Sequence, residues 1–95
     1  MVRDAYDTIT GAAGTLVIEP VQKYQAIGLD FFIHNTGANN VTVSVDGQNV
    51  ITVSPGGVYT FNDVKYGKVK IIATAGYEAQ WFGVKTETLT RRGLI

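Results

Sequence analysis

From Asn40 to Thr74 apolar and polar residues alternate in short runs parted by turn-forming residues. Val41, Val43 and Val45 alternate with Thr42, Ser44 and Asp46, the two-residue period of a strand with one buried face. Asp46-Gly47 comes next, and Asp-Gly suits a type I′ turn, whose two central residues both need positive φ. The return strand runs over Asn49–Val53, Pro55-Gly56-Gly57 interrupts it, and Val58-Tyr59-Thr60-Phe61 begins another. Lys68 to Thr74 sets Val69, Ile71 and Ala73 against Lys68, Lys70 and Ile72. Ala75-Gly76 then turns the chain into a last strand, Tyr77 to Lys85.

Upstream, Thr15-Leu16-Val17-Ile18-Glu19 is the first convincing strand, stopped by Pro20, which cannot donate to a ladder. Val21 to Ala26 reads as a weaker strand and Gly28 to Asn35 as a stronger one, with Leu29, Phe31 and Ile33 on one face. Asn35 to Asn40 is a cluster of turn formers, and Asn62-Asp63 and Tyr66-Gly67 mark a further corner. About eight short strands at spacings near ten residues indicate an all-β sandwich or barrel. No window of helical length carries a 3.6-residue stripe. The expectation is a single antiparallel β-sandwich, jelly-roll-like or Greek-key, with extended termini. It divides into an N-terminal arm over 1–14, the sandwich over 15–85 and a C-terminal tail over 86–95. The expected core is Leu16, Ile18, Leu29, Phe31, Ile33, Val41, Val43, Val45, Ile51, Val53, Val69 and Ile71.

A chain of 95 residues is one domain, and 17% charged residues is below the usual level of about 25%. So few charges imply that partners cover part of the surface. The net charge is zero but unevenly spread, −4 over residues 1–63 and +4 over residues 64–95. Either this is scatter that folding intermixes, or it forms complementary poles that steer copies together. A nucleic-acid partner would want an overall basic domain, and none is expected. No run approaches the roughly 20 apolar residues of a membrane span, and Met1-Val2-Arg3-Asp4 does not open a signal peptide. With no cysteine, disulfides and thiolate chemistry are excluded.

Chemistry is hard to find. His34 is the only histidine, and neither Ser44 nor Ser54 sits in a Gly-x-Ser-x-Gly elbow. No two candidate ligands have metal-site spacing, and the glycines are placed for turns, not for a phosphate loop. No catalytic residue, metal or cofactor is expected, and the chain is read as a non-enzyme. The aromatics carry more information. Tyr77 and Trp81 share one face of the last strand while Phe82 lies on the other, so the strand is covered on both sides or exposes a ring. Core packing and a subunit interface both suit such rings. An exposed ring flanked by Asn39, Asn40 and Gln48 would instead stack on a sugar, which keeps a carbohydrate-binding module as the alternative. In the tail, the basic pair Arg91-Arg92 precedes apolar Leu94 and Ile95, whose burial would need a neighbour. The candidate assembly contacts are Arg91, Arg92, Leu94, Ile95, Tyr77 and Trp81.

The stretch from Ile33 to Gly83 resembles small β-structured proteins of bacteriophage and prophage virions. The matching pattern runs through Asn35-Thr36-Gly37, Asn40 to Gly47, Ile51 to Gly57, Tyr59-Thr60-Phe61, Val69-Lys70-Ile71 and Thr74-Ala75-Gly76-Tyr77. The resemblance implies a virion component repeated on the particle, such as a capsid decoration protein or a tail or fibre part. It implies as partners the protein's own copies, as a homotrimer, and the major capsid or tail proteins, with assembly after synthesis in the host cytoplasm. It brings no catalytic residues.

Overall fold

The computed structural model describes residues 2–93. Its strands are β1 (Ala5–Gly11), β2 (Gly14–Ile18), β3 (Ala26–His34), β4 (Val41–Val45), β5 (Val50–Val53), β6 (Val58–Phe61), β7 (Val69–Ala73) and β8 (Tyr77–Lys85). Two short helices are added, α1 (Pro20–Tyr24) and α2 (Thr86–Arg91). The strands make two four-stranded antiparallel sheets, in the orders β1-β8-β3-β6 and β2-β7-β4-β5. Only β4 and β5 are consecutive strands within one sheet; every other connection crosses to the opposite sheet. This is the jelly-roll form of the expected sandwich. The single hairpin is the one Asp46-Gly47 signals, with φ of 50° and 71° at those residues, as a type I′ turn requires.

The alternation read from the sequence is the alternation of burial. Phe31, Ile33, Ala79 and Trp81 from one sheet meet Val41, Val43, Val53, Val69 and Ile71 from the other in one continuous core. Each large side chain buried there contributes about 1.5–3 kcal/mol. Leu16, Val45 and Ile51 are only half-buried, because β2 and β5 are edge strands and Val45 ends its strand. Leu29 departs from the expected face. The register of β3 on β8 shifts between Gly28 and Asp30, and this bulge reverses the alternation. Leu29 therefore joins Val84 and Leu89, with Ile27, in a second small cluster.

Gly28 has a packing reason. A Cβ there would lie 2.4 Å from the ring of Tyr66. That ring has little room to move, since its hydroxyl donates to the Asp30 carbonyl at 2.6 Å and Tyr66 is 2% exposed. Burial also pushes the Tyr66 hydroxyl pKa well above its ordinary value.

Three segments differ from the sequence reading. Residues 5–11, expected within a loose arm, form β1 and pair with β8 from Ala5↔Gly83 to Gly11↔Tyr77. Its inward positions are Ala5, Asp7 and Ile9, a pattern masked by the carboxylate. Tyr24 satisfies that carboxylate, its hydroxyl donating to Asp7 Oδ2 at 2.7 Å. Val21 to Ala26, expected as a strand, holds α1 and the start of β3. Pro20 favours the first helical position, where no N–H is needed, and Gln25 in the left-handed region ends the helix after five residues. Thr86 to Arg91, expected as tail, is α2, too short to show a period.

At one end of the sandwich, buried Asn35 ties the β3–β4 connection to the β5–β6 turn. Its side-chain amide donates to the carbonyls of Val53 (2.9 Å) and Asn39 (2.7 Å), and its side-chain oxygen accepts from Gly37 N–H (3.0 Å). Its backbone exchanges bonds with Gly57 O (3.0 Å) and Gly56 N–H (2.8 Å).

Replacing Asn35 by Ala strands two carbonyls and an N–H, so we expect a loss of about 2–4 kcal/mol, each orphaned buried group costing about 1–3 kcal/mol. A urea midpoint equal to that of the unmodified chain would show that the side chain ties nothing. At the opposite end, ending the chain at Lys85 uncovers Ile27, Leu29 and Val84. Leu89→Ala should cost about 2–4 kcal/mol, and the truncated chain more. Retention of the full melting temperature by the truncated chain would show α2 to be an undocked tail.

Candidate functional site

Among the described residues, no reactive constellation is assembled from those the sequence singles out. His34 ends β3 as a half-buried residue, Ser44 lies in β4 of the other sheet, and Ser54 sits in the β5–β6 turn. Among the described residues no group of three or more His, Cys, Asp or Glu is placed to hold a metal ion. Asp30 and Asp63 do meet, but around a cation. Arg3 Nε donates to Asp30 Oδ2 at 2.7 Å, and Arg3 Nη2 donates to Asp30 Oδ1 at 3.2 Å and also to Asp63. The Asp63 N–H adds a bond to Asp30 Oδ1 at 3.0 Å. Hydrogen bonds from Arg3 are the main cause holding the Asp30 carboxyl below its ordinary pKa. Next to it, Asp4 accepts from the Thr88 hydroxyl and from Lys85 N–H (2.8 Å), which lowers its pKa in the same way. Both clusters are structural clasps.

The distribution of charge over the surface is the more distinctive feature. The registers put the β1–β2, β3–β4, β5–β6 and β7–β8 connections at one end. Those connections, residues 12–13, 35–40, 54–57 and 74–76, hold no Asp, Glu, Lys or Arg. Residues 2–4, the remaining connections and α2 occupy the opposite end. There lie Arg3, Asp4, Glu19, Lys23, Asp46, Asp63, Lys65, Lys68, Glu87, Arg91 and Arg92. Eleven of the sixteen charged residues thus gather at one pole, and the connections at the other carry none, with Glu78 exposed two residues past them on β8 and Lys70 exposed on the outer face of β7. The outer sheet faces are sparsely charged as well. Val17, Ile72 and Val50 are 42%, 45% and 62% exposed on one, and Tyr6 and Val58 are 65% and 55% exposed on the other. Tyr6 lies beside half-buried Phe82, ring centroids 6.2 Å apart.

The expected contact residues separate accordingly. Trp81 and Tyr77 are 1% and 2% exposed in the core, so neither ring is available to a neighbour. Their inward face on β8, between β1 and β3, decides this. Arg91 and Arg92 are exposed, Arg91 Nη2 donating to the Thr88 hydroxyl at 3.3 Å, whereas Leu94 and Ile95 lie outside the described residues. Asn39 and Asn40 are at the uncharged pole and Gln48 at the charged one, so the three amides do not flank a common ring. What the sequence reading missed is the outer-face apolar set and the clasp of Arg3 on two distant carboxylates. The outward positions of the alternation do signal the first; no local pattern signals the second.

No protein-family model matches the chain, and no curated protein does. Among solved structures it is similar to a protein from the disulfide-linked pili that form Bacillus endospore appendages. The two share 23% identity with a TM-score of 0.58, over 88% of this chain and 87% of that one. Likeness at this identity establishes the fold. The counterpart it supplies is an appendage protein, not specifically one of the phage proteins that the sequence resembles.

Asp4 and Asp30 titrate below their ordinary value of 3.8 in the folded chain. Each therefore contributes stability that is complete above that value and is lost as pH falls through the lowered one. The melting temperature should hold steady down to about pH 5 and drop below about pH 4. Asp30→Asn should lower the neutral-pH melting temperature and flatten the acid drop. An acid drop of undiminished size in that variant would place its origin elsewhere.

Proposed function

We propose that this protein is a non-enzymatic structural subunit that works as repeated copies on the surface of a larger particle. The observation that carries the reading is the concentration of charge at one pole, with uncharged connections at the other and outer sheet faces that set exposed apolar side chains beside few charges, Lys70 and Glu78. Interface cores are depleted of charge, and loops of Gly, Ala, Asn, Ser and Thr allow close backbone approach. The sequence resemblance favours a virion as that particle and capsid decoration as the role. The pilus protein with the same fold supports an assembly of like subunits.

The physics favours many weak contacts over one strong one. Half-exposed Val17, Val50, Val58 and Ile72 would each gain about 1 kcal/mol on burial, while association costs on the order of 4–15 kcal/mol. No single patch meets that cost, whereas an array engaging both faces and a pole does. On the side opposite β5 and β6, the edge strands β1 and β2 add unpaired backbone groups through which sheets of neighbouring copies can continue. Without cysteine in this sequence, joints between copies are not disulfides, unlike those of the disulfide-linked pili of the structural neighbour.

Light scattering across a concentration series should show masses above 10.3 kDa, with a threefold mass for the trimer. Ala38→Lys at the uncharged pole and Ile72→Lys on the outer face leave the core untouched and should each shift the chain toward monomer. A monomer at every concentration, with no binding to particles in co-sedimentation, would overturn the reading.

A further inference from the structure

We propose that the side of the sandwich between β5 and β6, at its charged end, is a saccharide-binding groove that seats a carboxylate-bearing sugar against Lys65. The groove follows from the topology. β5 and β6 are edge strands of opposite sheets, tied at one end through Asn35. Between them opens a space of about 410 Å³, within the roughly 300–1,000 Å³ usual for small-ligand sites.

Its floor is apolar and pre-formed. Ile51, Tyr59 and Phe61 are half-buried in it, and Val64, 51% exposed, forms a wall. Phe61 is held edge-on between Tyr59 and Tyr66, at 5.9 Å and 5.4 Å, so the aromatic surface is fixed before any ligand arrives. The rim is polar. Gln48 and Asn49 line it, their side-chain amides making no hydrogen bond among the described residues, and the Tyr59 hydroxyl makes none either. A pyranose ring has this same division, an apolar face of C–H groups and a rim of hydroxyls.

Charge selects the kind of sugar. Two charged side chains line the groove, Asp46 and Lys65. The Asp46 carboxylate is already engaged, its Oδ1 accepting the N–H groups of Gly67 and Lys68 at 2.9 Å each. Lys65 has no carboxylate within ion-pair distance among the described residues. Asp46 keeps its negative charge but directs it to those N–H groups, so the charged donor left without an acceptor among the described residues is the Lys65 ammonium, which a uronic-acid carboxylate complements and a neutral hexose does not.

The test is an amide-shift titration of the full chain with a glucuronic-acid-terminated disaccharide and with its glucose-terminated counterpart. Shifts should be confined to residues 45–65, and the acidic sugar should bind at least about fivefold more tightly, one charged hydrogen bond being worth that much. Lys65→Gln should erase the difference between the sugars, and Tyr59→Leu should abolish binding of both while circular dichroism shows each variant folded. Equal binding of the two sugars, shifts centred outside the groove, or no shift up to about 20 mM would overturn the proposal. Both variants should self-associate like the unmodified chain, so failure here is distinct from failure of the structural role; loss of association in either would assign the groove to a neighbouring copy and overturn it too.

Discussion

The side chain of Asn35 joins the two layers where the chain crosses between them most often. Buried completely, it places both amide hydrogens on carbonyls and its oxygen on an N–H. No other described residue links the end of β3, the following loop and the β5–β6 turn at once. A buried amide without partners is costly; with all of them it specifies one arrangement, since any slip of β5 past β3 leaves several groups unpaired. The link between the two sheets at this end depends on it.

The opposite end is fastened by a different means. Arg3 gathers Asp30 and Asp63, and Asp4 holds Thr88 and the backbone of Lys85. The first residues before β1 thereby secure the β6–β7 connection and α2. These are solvent-accessible charge pairs, so each adds little alone, but together they fix where β1 begins. Charge is also concentrated at this end, whereas the connections at the other end carry none. A fastening device at one end and a surface suited to contacts at the other are two consequences of the same distribution.

The proposed function rests on surfaces, not on a reactive centre. The residues that would begin a search for chemistry, His34, Ser44, Ser54 and the aspartates, are scattered or tied into hydrogen bonds with structural roles. The aromatics divide three ways. Trp81, Tyr66 and Tyr77 are core, Tyr6 is exposed beside Phe82, and Tyr59 and Phe61 line an open groove. The proposed assembly surfaces and the proposed ligand groove are compatible in one small subunit because they lie on different sides of it.

The sequence by itself determined the fold class, the hairpin at Asp46-Gly47 and most of the core, because a two-residue period and the positive φ of a turn are local properties. Val41, Val43, Phe31 and Ile71 are buried where their alternation puts them. It did not determine β1, whose inward Asp7 is acceptable only once Tyr24 reaches it from another element. Nor did it determine α2, held by Leu89 on Leu29, Val84 and Ile27, or the reversal of face at Leu29, which depends on a bulge in pairing with β8. Tyr77 and Trp81 looked equally suited to core or interface; placing β8 between two strands decided for the core. The groove and the uncharged pole belong entirely to the tertiary structure. Both arise from residues far apart in the chain, brought together by connections that cross between sheets, and no local pattern records which ends meet.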